Sequence, residues 1–401
     1  MRGYHPHALV AFVTLYGVMY AAFGVASPFW PMFFETRGLS PDQIGTLLAL
    51  GTLARLIAGP VIGRLSDIFG TLRAVLATCA AVAVASAPGL LSEHRYLPLL
   101  AISICQAAAL APITTIADAL AVNSLGVTRQ NTLNYGWVRG IGSAAFVAGT
   151  LLAGQVLNHK VSGLSAIVYM HAGLLSVVVI AAGLIPAPSI LISENVKPIE
   201  AKEAYGGARQ LLRNSAFRHV IIISALVLGS HAMHDAFAVI RWNVAGISPT
   251  TVSLLWSEAV VAEVVVFLLI GPLTIRRFGP QVAAILAIIA GVVRWTVMSQ
   301  TTELYALALV QPLHGCTFAL LHLACMHVIS VSVSPLLAAT AQSIYAFGSA
   351  TASAVLTFLA GTLYGQLGAS LFLVMALICA LAIPFTFSLP SVHRNSTEYP
   401  A

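Results

Sequence analysis

The chain has 401 residues, of which 59% are hydrophobic and 8% charged, and its mean hydropathy is +0.92. A water-soluble domain carries about 25% charged residues, so this composition excludes a soluble enzyme, a nucleic-acid-binding domain and a disordered chain. The net charge of +6 comes from only 19 Lys and Arg and reads as membrane topology rather than as a nucleic-acid surface.

A bilayer-crossing helix with its share of loop takes roughly 30 to 35 residues, which predicts about twelve spans and no room for a soluble domain. Apolar runs follow one another near 8–34, 43–63, 72–91, 96–122, 133–157, 164–185, 217–240, 250–275, 281–299, 303–331, 336–363 and 366–389. The first is long enough to remain as a span rather than be cleaved as a leader. The only long polar stretch, Pro186 to Asn214, carries Lys197, Lys202, Arg209 and Arg213. It predicts a six-helix bundle at 1–187, a cytoplasmic linker at 188–215 and a second bundle at 216–401. With both termini inside, Arg2, Arg64, Arg73, Arg129, the four linker bases, Arg218, Arg276, Arg277 and Arg394 are cytoplasmic. Arg37, Arg95, Lys160 and Arg241 face outward, and the excess satisfies the positive-inside rule.

Sliding the second half by 208 residues lays Gly38-Leu39-Ser40-Pro41 on Gly246-Ile247-Ser248-Pro249; one further residue brings Phe69-Gly70 onto Phe278-Gly279. A duplicated six-helix unit is the signature of transporters that rock one half against the other around a central site.

Away from the ends of the predicted spans lie seven charged residues: Arg55, Asp118, Arg139, Asp235, Glu258, Glu263 and Arg294. Each costs about 3 kcal/mol at a helix centre, so they must face a cavity or one another. Asp118 and Arg139 lie at similar depth on adjacent antiparallel spans, where they can pair when the site is empty. The planar fork of Arg139 suits a substrate carboxylate or hydroxyls. Phe146 follows Arg139 by seven residues, on the same helix face, either covering a substrate or packing in the core. In the second half His231, Glu263 and His314 fall near the midplane, with Arg294 nearer the outer end. Trp256 shares a face with Glu263. Asp118, Arg139, Phe146, His231 and Trp256 are thus expected at the substrate, and Glu263, Arg294 and His314 at a proton-coupling group, because burial and a neighbouring Arg push a carboxylate in opposite directions.

The five cysteines all sit in apolar stretches, so no disulfide framework is expected. His314, Cys316, His322, Cys325 and His327 cluster in the tenth span without metal-ligand spacing, and no metal is expected. No glycine loop followed by Lys-Ser or Lys-Thr supports ATP-driven transport. No cofactor is expected beyond the proton as coupling ion.

After the second span, Gly63, Asp67, Gly70 and Arg73 resemble the cytoplasmic loop motif of the major facilitator superfamily, with departures at Ile68, Thr71 and Leu72 where bases are usual. A resemblance to the lactose permease-like proton symporters, and more nearly to the 3-phenylpropionate permease group, runs over most of the chain. It is carried by Pro28-Phe29-Trp30, Asp118-Ala119-Leu120-Ala121, Tyr135-Gly136-Trp137-Val138-Arg139, Ser230-His231, Leu255-Trp256, Glu263, Arg294-Trp295, Leu313-His314, His322-Leu323-Ala324 and Gly361-Thr362-Leu363-Tyr364. The resemblance implies that Asp118 and Arg139 hold substrate, that Phe146 stands where an aromatic stacks, that Arg294 and His314 belong to a proton site, and that Gly63, Asp67, Gly70 and Arg73 form a gating loop. Thr317 stands where those symporters carry a carboxylate, and Val260 where the sugar permease has a Glu, one turn before Glu263.

The expectation is an all-α membrane protein of twelve transmembrane helices in two pseudo-symmetric six-helix halves, the major facilitator fold. It is expected to be no enzyme but a monomeric proton symporter of a small, or aromatic, carboxylate in a bacterial-type inner membrane. Its partners would be the solute and the bilayer, with no nucleic acid. A sugar or nucleoside symporter and a proton-driven drug efflux antiporter are the competing readings; a non-transporting receptor or scaffold would show no solute flux.

Overall fold

A computed structural model describes residues 6–125, 132–159, 163–185 and 201–390. Arg2, Arg129, Lys160, Lys197 and Arg394, and the linker residues up to 200, lie outside the described residues, as does the side chain of Asp67. The described residues form helices and turns, and the first part of the chain contains α1 (Pro6–Ala26), α2 (Trp30–Thr36), α3 (Pro41–Phe69), α4 (Leu72–Ala85), α5 (Ala87–Ser92), α6 (Tyr96–Leu110), α7 (Ile113–Leu125), α8 (Thr132–Asn158) and α9 (Ser165–Leu184). After α10 (Ala201–Arg213) and α11 (Ser215–Gly229) come α12 (Val239–Val244), α13 (Pro249–Val265), α14 (Gly271–Gln300), α15 (Leu304–Val310), α16 (Leu313–Gly315), α17 (Leu321–Ser332), α18 (Ala338–Leu367), α19 (Leu371–Ala380) and α20 (Ile383–Thr386). The charged linker is therefore partly helical, since α10 occupies its second half and packs on α11 and α18.

Among the described residues ten helical stretches are long and apolar enough to cross a bilayer, and two of them, Pro249–Gln300 and Pro335–Thr386, are 52 residues long. At 1.5 Å per residue each of these is more than twice the ~30 Å hydrocarbon thickness. Each is broken by a glycine of positive φ, Gly279 in one and Gly368 in the other, so neither is a single continuous helix. The first span stops at Ala26 because Ser27-Pro28 interrupts it before α2, and the fourth and tenth break at Pro112 and Pro312. Proline cannot supply the N–H that a continuous helix needs there.

The internal repeat is visible in the backbone. Gly38 and Gly246 have φ of 82° and 83°, and Gly70 and Gly279 have 62° and 81°. In the first pair the hydrogen bonds also match: Gly38 N–H donates to Glu35 and Leu39 N–H to Phe34, while Gly246 donates to Asn243 and Ile247 to Trp242. A left-handed residue at each helix end is what the repeated glycines supply.

The chain forms two compact units, one of 1–192 with 239–257 and the other of 193–238 with 258–401. The division is thus not a single cut at the linker, because α12 packs on α2 and Thr250 Oγ1 donates to the Gly154 carbonyl at 3.3 Å inside the first unit. The core of that unit surrounds α1, with Phe12, Leu15, Tyr16 and Met19 fully buried. Here α1 and α8 meet backbone to backbone: Cβ atoms added at Gly24 and Gly149 would overlap the Phe146 and Ala21 carbonyls, and Thr150 Oγ1 donates across the contact to the Gly24 carbonyl at 2.9 Å. Small residues permit this approach in a membrane helix pair.

In the second unit, α14 packs against α17 and α19, and α11 against α18. π-Helical turns at His234–Ala238, Val266–Ile270 and Cys316–Leu320 interrupt its helices beside charged or imidazole side chains. Such turns insert a residue into the helix and occur often at functional sites.

Candidate functional site

The close contact of α1 with α8 positions the first cluster of polar groups. Gly142 lies under the Tyr20 ring, since a Cβ there would come 2.9 Å from Tyr20 Cδ2, and this sets Arg139 one turn away beside the same tyrosine. Arg139 Nη1 donates to both Asp118 carboxylate oxygens, at 3.2 and 3.1 Å, and to Tyr20 Oη at 3.1 Å. Tyr16 Oη donates to Asp118 Oδ1. The pairing expected from depth is therefore present, and tyrosines on α1 orient both of its members.

The Arg139 side chain remains 47% exposed and that of Asp118 31%, so the guanidinium is held in place yet open to a solute. Beside it runs an aromatic stripe along α1. Tyr16 and Tyr20 stack with centroids 5.9 Å apart, Tyr20 and Phe23 meet edge to face at 5.9 Å, and the Arg139 guanidinium lies 5.9 Å from the Tyr20 ring centre. Sequence reasoning does not single out Tyr16, Tyr20 and Phe23. Their spacing of four and three residues is the available signal, but on a helix apolar all round it does not separate a site from core packing. Phe146 is half-buried on the helix face that carries Arg139, its carbonyl against Gly24. Trp256 is half-buried in the part of α13 that belongs to the first unit.

In the expected gating loop, Gly70 adopts its left-handed conformation, and Arg73 Nη1 donates to the Ile185 carbonyl at 2.6 Å. Arg73 thus caps the C-terminal end of α9, a favourable place for a cation.

The second cluster centres on Arg294, which is fully buried in the second unit. Gly291, one turn before it, gives room to Thr317 and Cys379, with an added Cβ 2.8 Å from the Cys379 sulfur. Gly315 similarly lets the tenth span approach the Ala262 carbonyl, 2.7 Å from where its Cβ would be, and so sets His314 next to Glu263. Arg294 Nη1 lies 3.1 Å from His314 Nδ1, and Nη2 lies 2.8 Å from Gln311 Oε1 and 3.2 Å from His234 Nε2. The guanidinium also lies 4.5 Å from the Trp295 ring centre, and Trp295 Nε1 donates to Ser230 at 2.9 Å. At the edges of the cluster, His314 Nε2 is 3.6 Å from Glu263 Oε2 and His234 Nδ1 is 3.1 Å from Asp235 Oδ1.

Arginine only donates hydrogen bonds, so each imidazole nitrogen that it touches accepts; an imidazolium has no accepting nitrogen. His314 and His234 are therefore neutral in this arrangement, with His234 Nδ1 donating to Asp235 and His314 Nε2 facing Glu263 beyond hydrogen-bond length. The expected contact of Arg294 with Glu263 is replaced by one through His314. His231, expected at the substrate, is instead enclosed: Nδ1 donates to the Val227 and Leu228 carbonyls, both at 3.2 Å, and Nε2 lies 2.9 Å from Thr317 Oγ1, whose own proton goes to the His314 carbonyl at 3.1 Å. With both ring nitrogens engaged and the residue 5% exposed, it ties α11 to the tenth span within the cluster. His234 and Gln311 escape sequence reasoning because neither carries a fixed charge, while Asp235 is flagged by its charge but without a role.

A multispan helical chain with a repeated half and buried ionisable clusters on its spans is a membrane transporter. A model of the MFS_1-like family matches residues 9–375, and the chain belongs to that family of major facilitator transporters. It is 32% identical over 388 residues to a probable 3-phenylpropionic acid transporter of Escherichia coli (strain K12), covering 94% of this chain and 96% of that protein. It is 22% identical over 382 residues to the uncharacterized transporter YwbF of Bacillus subtilis (strain 168), covering 94% and 92%. The fold resembles the crystal structure of a mutant of the nucleoside transporter NupG, with a TM-score of 0.81 and 16% identity over 95% of this chain and 98% of that one. It also resembles a bacterial homolog of the human lysosomal transporter Spinster, with a TM-score of 0.74 and 14% identity over 96% and 97%.

Proposed function

We propose that the protein is a proton symporter for a small carboxylate bearing an aromatic ring, working by alternating access in a bacterial inner membrane with both termini cytoplasmic. The observation that carries this is the Arg139 guanidinium, anchored by Asp118 and Tyr20, half exposed, and bordered by the Tyr16–Tyr20–Phe23 stripe. A guanidinium pairs with a carboxylate through parallel N–H bonds, and the half-buried Tyr20 and Phe23 rings beside it, backed by the buried Tyr16, offer edge or face contacts to a ring. The name of the Escherichia coli relative agrees with that chemistry. Phe146 and Trp256 complete the solute contacts in this reading, and Gly63, Asp67, Gly70 and Arg73 act as a gating loop.

The proton is assigned to Glu263, with His314 between it and Arg294. No cofactor takes part, and a single chain suffices. Uptake of labelled 3-phenylpropionate into proteoliposomes, competed by a sugar and by a nucleoside, tests the assignment. Competition by the aromatic acid's own analogues alone supports it, whereas uptake of a nucleoside or sugar in preference to the acid replaces it with the competing solute class.

A further inference from the structure

Arg294 presents a problem of charge. It is fully buried, its Nε has no hydrogen-bond partner, and its terminal nitrogens end on Gln311 and two imidazoles. Among the described residues no carboxylate lies within ion-pair distance of it. A buried cation left without compensation is strongly unfavourable. Two carboxylates do stand one imidazole away on opposite sides, Asp235 beyond His234 and Glu263 beyond His314. Both imidazoles accept from the guanidinium and so are neutral.

The cluster therefore contains one positive charge and two carboxylates. It is neutral only when one of the two holds a proton, and the two bridges decide which. Asp235 Oδ1 stands within hydrogen-bond length of His234, at 3.1 Å, whereas Glu263 Oε2 is 3.6 Å from His314, so the Arg294 charge is relayed more directly to Asp235. We propose that Asp235, acting through His234, is the standing counter-ion of Arg294, and that this arrangement leaves Glu263 as the acid that holds the exchangeable proton. It rests on the assignment of Glu263 as the proton site and adds Asp235 and His234 to it as positioning residues.

The surrounding groups are consistent with this division. His231 on the same span is closed off by Val227, Leu228 and Thr317. Cys379 on α19 is taken up by Ser230 at 3.0 Å. Tyr364 on α18 stacks on Phe237. On the Glu263 side, His322 engages Tyr345 at 3.3 Å. None of these carries a fixed positive charge, so removal of the Asp235 charge leaves Glu263, through His314, as the remaining carboxylate of the cluster. Glu263 then ionises and no longer carries a proton.

The O–H of a protonated carboxyl adds across a C=N bond of a carbodiimide, its proton going to nitrogen and its oxygen to the central carbon; the O-acylisourea so formed rearranges to a stable N-acylurea, and a carboxylate, lacking the proton, is spared. The experiment labels the purified full-length protein with a hydrophobic carbodiimide at pH 7 and maps the modification at Glu263 by mass spectrometry. Glu263 is expected to react in the wild type and in Asp235→Glu, to lose most of its labelling in Asp235→Asn, and to regain it in Asp235→Asn combined with Arg294→Gln. If Asp235→Asn does not accumulate, His234→Ala, which breaks the bridge and keeps both charges, is expected to lose labelling in the same way. Unchanged labelling in Asp235→Asn or His234→Ala, no labelling of Glu263 in the wild type, or no recovery in the double variant would overturn the proposal. The readout needs no solute, so a wild type that labels as expected but moves no protons with any solute counts against the symport assignment and leaves the counter-ion assignment standing.

Discussion

Replacing Arg139 with Lys keeps a positive charge at the centre of the first cluster and removes the planar fork. In the structure a single nitrogen, Nη1, bonds both oxygens of Asp118 and the Tyr20 hydroxyl, while the side chain stays 47% exposed. The three N–H donors of a Lys ammonium can take over the contacts to Asp118 and Tyr20 but leave no second coplanar nitrogen to present parallel N–H bonds to a solute carboxylate. The loss is that of a charge-assisted hydrogen bond, about 1.5–3 kcal/mol, with the exposure of Arg139 placing it near the lower bound because water screens the pair. That corresponds to a roughly tenfold weaker Kd for an aromatic carboxylate, with unfolding temperature little changed because the charge pair persists. Calorimetric titration of the purified variant with 3-phenylpropionate measures it, alongside thermal unfolding. A Kd within twofold of wild type would remove Arg139 from the solute site.

Asp118→Asn is expected to weaken binding as well, since it removes the charge and leaves one accepting oxygen where Arg139 and Tyr16 share two; recovery of transport in a variant neutral at both positions would make the pair purely structural. Gly149→Val drives a side chain into the Ala21 carbonyl and should destabilise the protein by about 1–3 kcal/mol, read as a lower melting temperature, whereas Gly17→Ala, where nothing lies within 4 Å, should leave it unchanged. Gly38→Ala and Gly246→Ala should each cost about 1–2 kcal/mol because both have positive φ, and unequal effects would contradict their equivalence in the repeat. Outside the spans, hydrogen bonds from the Arg95 side chain, then from the Arg95 and His94 backbone, hold the Glu93 carboxyl down at about 2. A depressed folded value gives stability that is present above the ordinary value near 4.5 and lost as pH falls toward about 2. The melting-temperature difference between wild type and Glu93→Gln should therefore be constant from pH 7 to about 5 and shrink below that; a difference that disappears above pH ~5 would contradict it.

Much of the architecture was legible because a bilayer admits few solutions. Apolar runs, the linker and the Gly-x-Ser-Pro repeat gave the spans and their duplication, and depth counting alone paired Asp118 with Arg139. The α1 side of that site was not legible, since Tyr16, Tyr20 and Phe23 lie on a helix whose every face is apolar and carries no contrast to read. In the second unit the failure has a geometric cause. Face assignments assume 3.6 residues per turn, and the π-helical turns at His234–Ala238, Val266–Ile270 and Cys316–Leu320 shift that register beside the residues being assigned. His314 and Cys325, which share a face by simple counting, are separated by such a turn. Gln311 carries no charge to flag it, although it makes the shortest of the contacts to Arg294.

Direct measurement of proton movement with solute tests the central assignment. In proteoliposomes containing a pH-sensitive dye and held at zero membrane potential, 3-phenylpropionate added outside is expected to acidify the lumen beyond the rate in protein-free vesicles. Arg139→Lys should slow this, and Glu263→Gln should abolish it while leaving exchange of preloaded label intact. Accumulation of the acid without acidification, or full proton movement in Glu263→Gln, would contradict proton symport through this residue.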